Sequence, residues 1–418
     1  MKKALVLAGG FPQIALIEEL KKRDVWTVLA DWNENPVARK HADAFYQAST
    51  LDVEAIETIA RQERVDFLIT ACTDQALLTV AQVSEKLGLP YYIDYQTALN
   101  VTNKSYMKAM FSQHDVPTAP FAVMGVLDMK KITHLRYPLI VKPVDCNSSK
   151  GVCKVQTQDE LKAAFAEAVR LSRTQTAIVE EFVQGPEISV DVYVEDGVAH
   201  VLSVTNSEKI KSDDKFVIFR AKYPAIAKES IYTQIRETAQ KIADAFGLKN
   251  SPMLIQFISD GERVYVLEFS ARTGGGVKFL LIRHVSGFDV IKAVVDLTMG
   301  LLPHVENEAP VTPYLVNDFI YCQPGVFDRL VGFEELKQQG ILKDYYQFKE
   351  QGAAFDGVRN SGDRVAGYTV VGNTPEELIA RHEQVLQTIR VLDNRGQDMA
   401  RHDLLTHLRV ENGNLISE

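Results

Sequence analysis

The sequence predicts a multidomain protein that combines an α/β part with an α+β part and opens with a doubly wound α/β domain. The chain has 418 residues, which is longer than a single hydrophobic core usually supports. Its N-terminal part alternates short apolar runs with amphipathic segments, a pattern typical of successive βαβ units. Much later, two apolar runs flank the turn Ser259-Asp260-Gly261-Glu262, which indicates an antiparallel hairpin.

The composition is that of a globular protein, with 46% hydrophobic and 24% charged residues. A net charge of -9 argues against nucleic acid as the main partner. No apolar run approaches the length of a membrane span, and the start MKKALVLAGG fits a strand and turn better than a signal peptide. The four cysteines are widely spaced without a CxxC motif, which favours reduced thiols and predicts the cytoplasm.

The opening domain is predicted from strands at residues 4–8, 26–30 and 67–70, with helices at 14–22 and 53–63. Ligands of open α/β sheets bind beyond the carboxyl ends of the strands, so Gly9, Gly10 and Asp74 are candidates to line a crevice. They can equally be turn glycines and a helix N-cap. The glycine pair lacks a full G-x-G-x-x-G, so it supports a dinucleotide-binding dehydrogenase only weakly.

The middle of the chain carries a lysine and a small-residue loop in a context that suits phosphate. Lys142 ends an apolar strand at residues 138–143, where a solvated lysine is unexpected. The loop that follows, residues 145–152, is small and polar, and such a loop can fold its backbone N–H groups over phosphates. Residues 205–223 are polar and lysine-rich without clear periodicity, which predicts a mobile lid.

The hairpin around Ser259-Asp260-Gly261-Glu262 is the feature that most strongly suggests chemistry. Strands on either side of the turn would bring Gln256 and Glu268 close together, on one face of the pair. Oxygen ligands of this kind suit Mg²⁺, which takes few protein ligands. Ser270 points to the same face as Glu268, and Arg272 follows. The alternative is a buried hairpin with a polar edge and a flexible loop.

The remaining elements complete the predicted organisation. Helices are expected at residues 77–87, 102–112, 129–135, 159–172, 232–246, 288–299 and 375–389, and strands at 153–155, 177–182, 188–195, 253–258, 263–269 and 367–371. Thr374 precedes the last helix as its N-cap, and acidic residues follow in its first turn. Residues 117–120 look like a linker into the second domain.

Taken in chain order, the candidate residues resemble the ATP-grasp superfamily of carboxylate–amine ligases, which includes carbamoyl phosphate synthase, biotin carboxylase and the amino-acid ligases. The resemblance rests on Lys104, Lys142, Ser148-Ser149-Lys150-Gly151, Glu180-Glu181, Gly185-Pro186-Glu187, Gln256, Glu268 and Arg272. It covers roughly residues 1–300, and the region beyond resembles the C-terminal extension of biotin carboxylase. It implies a pre-ATP-grasp α/β domain at 1–115, an ATP-grasp nucleotide-binding subdomain at 116–195, a catalytic and metal subdomain at 196–305 and a C-terminal α+β extension at 306–418.

The resemblance implies a nucleotide-binding role for many of the matched residues. Lys104 and Lys142 would bind the phosphates as point charges, and Glu187 would hold the ribose hydroxyls. The adenine amino group would be taken by the Glu180 carboxylate or by the neighbouring backbone, while for Glu181 a surface charge is the alternative. The full set implied for ATP binding is Lys104, Lys142, Ser148, Ser149, Gly151, Glu180, Glu181, Phe182, Val183 and Glu187.

The resemblance further implies a metal site at Gln256, Glu268 and Ser270, which would hold Mg²⁺ or Mn²⁺. Many relatives carry an acid in place of Gln256, and most carry Asn in place of Ser270. Arg272, Lys142 and Gly275 would act in catalysis, with Arg272 holding the transferring phosphoryl group. Candidate substrate-binding residues are Gly9, Gly10, Asp74, Arg272, Gly274 and His284, although His284 can equally be a structural histidine.

These expectations predict an ATP-dependent ligase that activates a carboxylate as an acyl phosphate and joins it to an amine, releasing ADP and phosphate. Both substrates would be small molecules, with an amino acid as the expected carboxylate. Two alternatives stay open: an enzyme that activates bicarbonate as carboxyphosphate, and an ATP-binding module without catalysis, which the departure at Ser270 keeps in play. The assembly is left open, with a homodimer as one alternative.

Overall fold

The computed structural model describes residues 1–146, 150–210, 217–306 and 311–417. The N-terminal domain contains strands β1 (Lys3–Leu7), β2 (Trp26–Asp31), β3 (Ala44–Gln47) and β4 (Phe67–Ile69), and helices α1 (Phe11–Lys21), α2 (Val53–Glu63), α3 (Asp74–Leu87), α4 (Tyr95–Thr102) and α5 (Lys104–Gln113). The strands form one parallel sheet of order β3-β2-β1-β4. Apolar side chains of α1 pack on one face, and those of α2 and α3 pack on the other. The predicted doubly wound opening is therefore confirmed.

The second domain is a small antiparallel sheet covered by one helix. Its elements are β5 (Phe121–Met124), β6 (Leu139–Pro143), β7 (Cys153–Val155), α6 (Gln158–Leu171) and β8 (Ala177–Glu181), and the sheet order is β5-β8-β6-β7. The helix predicted at residues 129–135 is wrong, because this segment makes only a 3₁₀ turn at Met129–Ile132. Ile132 and Leu135 both reach the core, and a spacing of three residues is one that a 3₁₀ turn satisfies.

The third part of the chain builds most of a large sheet. Its strands are β9 (Glu187–Glu195), β10 (Val198–Lys209), β11 (Ile218–Tyr223), β12 (Ser251–Ser259) and β13 (Val264–Ser270), and its helices are α7 (Glu229–Ala245), α8 (Lys278–Ser286) and α9 (Val290–Thr298). Helix α7 packs its apolar face on this sheet. Helices α8 and α9 turn towards the N-terminal domain, and Phe279 and Val294 share a core with α1. The sheet is thereby anchored to the first domain.

The C-terminal region extends that same sheet. Its elements are β14 (Tyr314–Ile320), β15 (Gly325–Val331), α10 (Phe333–Gln338), β16 (Asp344–Gln347), β17 (Ala354–Phe355), β18 (Ala366–Gly372), α11 (Pro375–Thr388), β19 (Arg390–Asp393), β20 (Leu408–Glu411) and β21 (Asn414–Ser417). The eight-stranded sheet has the order β13-β12-β9-β10-β11-β14-β18-β16. It therefore continues across residue 305, where the sequence predicts a domain boundary. The predicted N-cap of α11 is confirmed, since Thr374 Oγ1 accepts a hydrogen bond from the Glu377 N–H.

The described residues of the stretch 205–223 do not form the predicted lid. Most of this stretch lies in β10 and β11 at the centre of the large sheet, and only residues 211–216 fall outside the described part. Several polar side chains in the described part of this stretch are buried, including those of Arg220 and Lys222. These two are paired instead of solvated: Lys222 Nζ lies 2.5 Å from Glu208 Oε1, and Arg220 pairs with Asp318. Within the described residues, no helix is long and apolar enough to cross a membrane.

The pair of Arg220 and Asp318 joins the sheet to the C-terminal region. Arg220 Nε and Nη2 donate to the two carboxylate oxygens of Asp318 at 2.6 and 2.7 Å. The same carboxylate also contacts the Tyr368 hydroxyl and His382 Nε2, at 2.8 Å each. Burial by itself raises the pKa of Asp318, but the Arg220 charge and the hydrogen bonds outweigh it and lower that pKa. Arg220 also donates to the carbonyl oxygen of Thr406 at 2.8 Å, which ties down the segment before β20.

Removing the charge of Asp318 should destabilise the protein strongly. Asp318→Asn removes the carboxylate that pairs directly with the buried Arg220 guanidinium and leaves only Glu208, 4.0 Å away, so we expect the free energy of unfolding to fall by about 3–5 kcal/mol. Urea unfolding followed by circular dichroism measures this change. The matched control is Glu167→Gln, which breaks an exposed pair with Arg170 and should leave the free energy of unfolding nearly unchanged. Equal losses in the two variants would contradict the assignment.

Candidate active site

A cavity lined by lysines lies between the small domain and the large sheet. We call it the lysine cavity, and it is lined by Lys104, Lys108, Lys142, Lys150, Glu180, Glu181, Phe182, Val183, Glu187, Lys209, Gln256 and Glu268, among others. Strands β6 and β8 supply Lys142 and Glu180, and the β12–β13 hairpin supplies Gln256 and Glu268. Helix α5 adds two lysines four residues apart, on one face.

The Glu180 carboxylate is clamped between two lysines. Lys142 Nζ lies 2.6 Å from Glu180 Oε1, and Lys108 Nζ lies 2.8 Å from Oε2. All three side chains are nearly inaccessible to solvent. Burial alone raises the pKa of the Glu180 carboxyl, but the charges of Lys108 and Lys142 prevail and lower it from 4.5 to about 2. Two lysines therefore meet one carboxylate, although burial outweighs the Glu180 charge at Lys108 and lowers the pKa of that lysine.

Lys104 connects this cavity to the hairpin. Its ammonium group lies 3.1 Å from Glu268 Oε2 and donates to the carbonyl oxygen of Cys146 at 3.0 Å. Asn103 caps the helix that carries it, accepting from the N–H groups of Ser105 and Tyr106. Burial lowers the pKa of Lys104, but the Glu268 charge outweighs burial and raises it. Lys104 is therefore a charged group pointing at the metal-site candidate.

The predicted pairing of Gln256 with Glu268 is confirmed, because the two residues lie directly opposite each other in the antiparallel register of β12 and β13. Gln256 Nε2 donates to Glu187 Oε1 at 3.1 Å, so its amide oxygen is the atom left for another partner. Lys209 Nζ contacts the other Glu187 oxygen at 2.5 Å. Ser270 is buried at the end of β13, where its hydroxyl bonds to Asp74.

The donor set of the hairpin fits a hard divalent cation only in part. Within the described residues there is no cluster of three or more His, Cys, Asp or Glu side chains that could hold a metal. Gln256, Glu268 and Ser270 offer one amide oxygen, one carboxylate and one hydroxyl. Mg²⁺ accepts few protein ligands when phosphate oxygens and waters complete its shell, so this set is sufficient next to a bound polyphosphate.

A second depression opens on the other side of the hairpin. We call it the glycine cleft, and its lining includes Cys72, Thr73, Asp74, Gln256, Leu254, Glu268, Arg272, Gly274, Gly275, Gly276, Lys278, Asn317, Phe319 and Arg364. All three parts of the chain contribute to it: the N-terminal domain, the large sheet and the C-terminal region. Gln256 and Glu268 line both the lysine cavity and the glycine cleft. The hairpin is therefore the wall at which the two spaces meet.

Arg272 is held by the N-terminal domain. Its Nε donates to Asp74 Oδ1 at 2.7 Å, its Nη2 contacts the other carboxylate oxygen, and its Nη1 donates to the carbonyl oxygen of Thr273 at 2.8 Å. Burial raises the pKa of Asp74, but the charge and hydrogen bonds of Arg272 prevail and lower it. Asp74 thus orients Arg272 beside Glu268, and its carboxylate is occupied by that contact.

The structure gathers most of the predicted site residues, but not all. Lys104, Lys142, Glu180, Glu181, Phe182, Val183 and Glu187 line the lysine cavity, while Arg272, Gly274 and Gly275 line the glycine cleft. Ser148 and Ser149 lie outside the described residues. Gly151 has a φ of 74° and lies against Leu171 and Pro143, so a side chain there would clash. Glu181 also lines the lysine cavity, but its carboxylate pairs with the exposed Arg136 at 3.1 Å.

Three candidate substrate-binding residues lie away from the glycine cleft. The Gly9 N–H donates to Asp31 at 2.6 Å, and a β-carbon at Gly9 would come within 2.5 Å of Pro36. Gly9 therefore allows the backbone to pass close to Pro36. Gly10 follows it as the N-cap residue of α1. His284 Nε2 lies 2.7 Å from Asp344 Oδ2 and links α8 to β16, which is a structural contact.

Sequence reasoning missed four cations of the two sites: Lys108, Lys209, Lys278 and Arg364. A signal existed for Lys108, because it follows Lys104 by one helical turn and must share its face. Lys209 was hidden in the segment taken for a lid. For Arg364 the sequence carries no signal, because its neighbours in the cleft come from distant parts of the chain.

Comparison with known proteins agrees with this architecture. Residues 135–279 match the model of the ATP-grasp domain, and residues 318–392 match that of the L-amino acid ligase C-terminal domain 2. The D-alanine–D-alanine ligase of Geobacillus thermodenitrificans is 30% identical over 215 residues, which is 47% of this chain and 57% of that protein. The carbamoyl phosphate synthase large chain of Clostridium acetobutylicum is 24% identical over 268 residues, covering 62% of this chain and 24% of the relative. The chain thus spans about half or less of these relatives.

Solved structures show the same fold across nearly the whole chain. An L-amino acid ligase from Bacillus licheniformis superimposes with a TM-score of 0.77 at 23% identity, covering 94% of this chain and 99% of that one. The biotin carboxylase domain of the Hydrogenobacter thermophilus 2-oxoglutarate carboxylase gives 0.79 at 18% identity, covering 96% and 92%. At these identities the likeness concerns the fold alone. The predicted resemblance to ATP-grasp proteins is confirmed by the match over residues 135–279.

The Glu180 clamp predicts a specific pH dependence of stability. Because the pKa of Glu180 is lowered by folding, its ion pairs stabilise the protein above pH 4.5, and this contribution is lost as the pH falls from 4.5 towards 2. The difference in unfolding free energy between wild type and Glu180→Gln should therefore be about 3 kcal/mol at pH 7 and should shrink across that window. Urea unfolding at pH 7, 4 and 3 measures it. A difference independent of pH would contradict the clamp.

Proposed function

We propose that this chain, whose residues 135–279 form an ATP-grasp domain, is an ATP-dependent ligase that joins a carboxylate to an amine through an acyl phosphate. One observation carries the proposal. The lysine cavity suits a nucleotide, the glycine cleft suits a second substrate, and Gln256 and Glu268 line both. A phosphoryl group leaving the nucleotide would therefore reach an acceptor in the cleft without crossing protein.

The lysine cavity supports nucleotide binding at each end. Lys104 and Lys142 would hold the phosphates, since both are buried cations that point into the cavity. The Glu180 oxygens both face lysines, which favours the backbone near Val183 over the Glu180 carboxylate as the partner of the adenine amino group. Glu187 would accept the ribose hydroxyls, oriented by its contacts to Gln256 and Lys209.

The residues that would hold Mg²⁺, or Mn²⁺ in its place, are Gln256 and Glu268, with Ser270 as an additional oxygen. When bound there, the ion neutralises charge on the phosphates and brings them against the hairpin. Glu268 contributes the charged ligand, and Lys104 at 3.1 Å holds its carboxylate in position. The Gln256 amide oxygen is free to take part because its nitrogen is fixed on Glu187.

The chemistry of the chain's own residues is positioning and charge stabilisation. A substrate carboxylate oxygen forms a bond to the γ-phosphorus as the bond to the β-phosphate oxygen breaks, which gives an acyl phosphate and ADP. The amine nitrogen then bonds to the acyl carbon, phosphate leaves, and the amine gives up a proton. Arg272, held by Asp74, would stabilise the charge on the transferring group, and the backbone at Gly274–Gly276 lies beside it.

Bicarbonate is the second candidate for the carboxylate, and the match to carbamoyl phosphate synthase over 62% of this chain favours it. ADP release separates the two. If the enzyme activates bicarbonate, bicarbonate alone should support ADP release. If it is a carboxylate–amine ligase, ADP release should need a carboxylate together with an amine. We further propose the cytoplasm as the compartment, since the four cysteines form no disulfides. We propose a homodimer as the assembly, which light scattering measures.

Lys108 provides a test of the nucleotide assignment that needs no second substrate. Lys108→Met leaves Lys142 neutralised by Glu180, so we expect ATP to bind about tenfold more weakly or worse, while adenosine binding changes little. Isothermal titration with both ligands measures this, and the same substitution in a Glu180→Gln background should have a smaller effect. Lys162→Met, at an exposed helix position, is the control. Equal losses for ATP and adenosine would contradict the role.

Glu268 tests the catalytic assignment. Glu268→Gln keeps the shape of the side chain but removes the only carboxylate among the proposed metal ligands, so turnover should fall by about a hundredfold or more. The melting temperature should change little, because Glu268 is 39% exposed. ADP release as a function of Mg²⁺ concentration is the measurement, with Glu262→Gln in the hairpin turn as control. An active variant with unchanged metal dependence would rule out this site.

A further inference from the structure

Arg364 is the one cation of the glycine cleft that has no carboxylate partner among the described residues. Three cationic side chains line the described part of this cleft: Arg272, Lys278 and Arg364. Arg272 is paired with Asp74, and Lys278 lies 3.3 Å from the buried carboxylate of Asp191. Each of these two ion pairs, Arg272 with Asp74 and Lys278 with Asp191, carries no net charge. Arg364 therefore adds an uncompensated positive charge to a cleft that is otherwise balanced.

The guanidinium of Arg364 is fixed in place by neutral groups. Its Nε donates to the Tyr321 hydroxyl at 3.1 Å, and its Nη2 donates to the carbonyl oxygen of Ile218 at 3.2 Å. The plane lies over the ring of Phe319, with Cζ 3.7 Å from the ring centroid. These contacts orient the group without neutralising it. They hold it as a fork whose direction is set before any ligand arrives.

The contacts leave one edge of that fork open. A guanidinium has five N–H donors, and two of them serve Tyr321 and Ile218. The remaining three N–H groups are the two of Nη1 and the second one of Nη2. They lie at the end of the guanidinium group. Gly276 lies opposite: its φ is 70°, and a β-carbon there would stand 3.2 Å from Nη1. Gly276, without a side chain, therefore packs closely against Nη1, and Arg364 reaches the cleft that both residues line.

We propose that Arg364 binds the free carboxylate of the acceptor amine, so that the acceptor is an amino acid or another amine bearing a carboxylate. This inference rests on the proposed ligase function. The donor carboxylate must react beside Glu268, which lines both spaces, whereas Arg364 comes from the C-terminal wall and lines only the glycine cleft. One uncompensated positive charge suits a monoanion better than a phosphate dianion. Two N–H groups from neighbouring nitrogens suit the two oxygens of a carboxylate.

The test compares acceptors with and without a carboxylate. Apart from those of aspartate and glutamate, amino acid amides lack a carboxylate to be phosphorylated, so they can act only as acceptors. Wild type and Arg364→Met are assayed for ADP release with pairs drawn from the twenty standard amino acids, and then with the amide of each active acceptor. We expect wild type to prefer the free acid by about tenfold or more in kcat/KM. Arg364→Met should lose that preference while using the amide as well as wild type does.

Binding measurements keep the inference testable without turnover. Wild type, saturated with Mg²⁺ and a non-hydrolysable ATP analogue, is titrated with each amino acid and its amide, and Arg364→Met is titrated alongside. Arg364→Met should lose affinity for the acid and keep its affinity for the ATP analogue. Arg170→Met, which removes an exposed arginine of α6, controls for net charge.

Different outcomes separate the two claims. If wild type releases ADP with no combination of carboxylate and amine, the ligase function fails, while the titrations still report on Arg364. If acid and amide bind and react equally well in wild type, or if no amino acid binds, the carboxylate assignment is overturned. It is also overturned if Arg364→Met weakens the acid and the amide to the same extent, because that result indicates a purely structural role.

Discussion

Charge can be buried in a protein only where an opposite charge or a dense set of hydrogen bonds meets it, and this constraint organises the molecule. Arg220 is joined to Asp318 in the large sheet, Glu180 is held between Lys108 and Lys142, and Arg272 is joined to Asp74. Each pair links different elements or domains. The pairs of Glu180 and of Arg272 also belong to the site, so the contacts that join the N-terminal domain to its neighbours are partly the contacts that define the site.

The same constraint explains the character of the lysine cavity. A single lysine paired with Glu180 would be neutral and would attract a polyphosphate weakly. The second buried lysine, Lys108, tips the balance towards positive charge and keeps the carboxylate ionised. A comparable logic applies at Gln256. Here its amide donates to Glu187, and a carboxylate in that place would meet a like charge.

The glycine cleft is assembled by the tertiary fold in an equally direct way. Asp74 follows β4 of the N-terminal domain, Arg272 follows β13, and Arg364 precedes β18. The large sheet makes this possible because it continues from the ATP-grasp part into the C-terminal region through the pairing of β11 with β14. A cleft with walls from three regions can hold two small substrates and align them with the hairpin.

The sequence by itself determined the features whose physical cause is local. Alternating apolar runs specified the N-terminal domain, the tight turn at Asp260 and Gly261 predicted the hairpin, and Thr374 marked the start of α11. The exact pairing of Gln256 with Glu268 depends in addition on a register shift between Gln256 and Phe257, which the sequence did not predict. Only the tertiary structure decided the partners of the charged residues. Arg272 and Asp74 are 198 positions apart, and no periodicity connects them. The tertiary structure also decided the fate of residues 205–223, which the sequence predicts as a lid and which lie largely in β10 and β11. A polar side chain can be buried when the fold brings it a partner, and the local sequence does not show that partner.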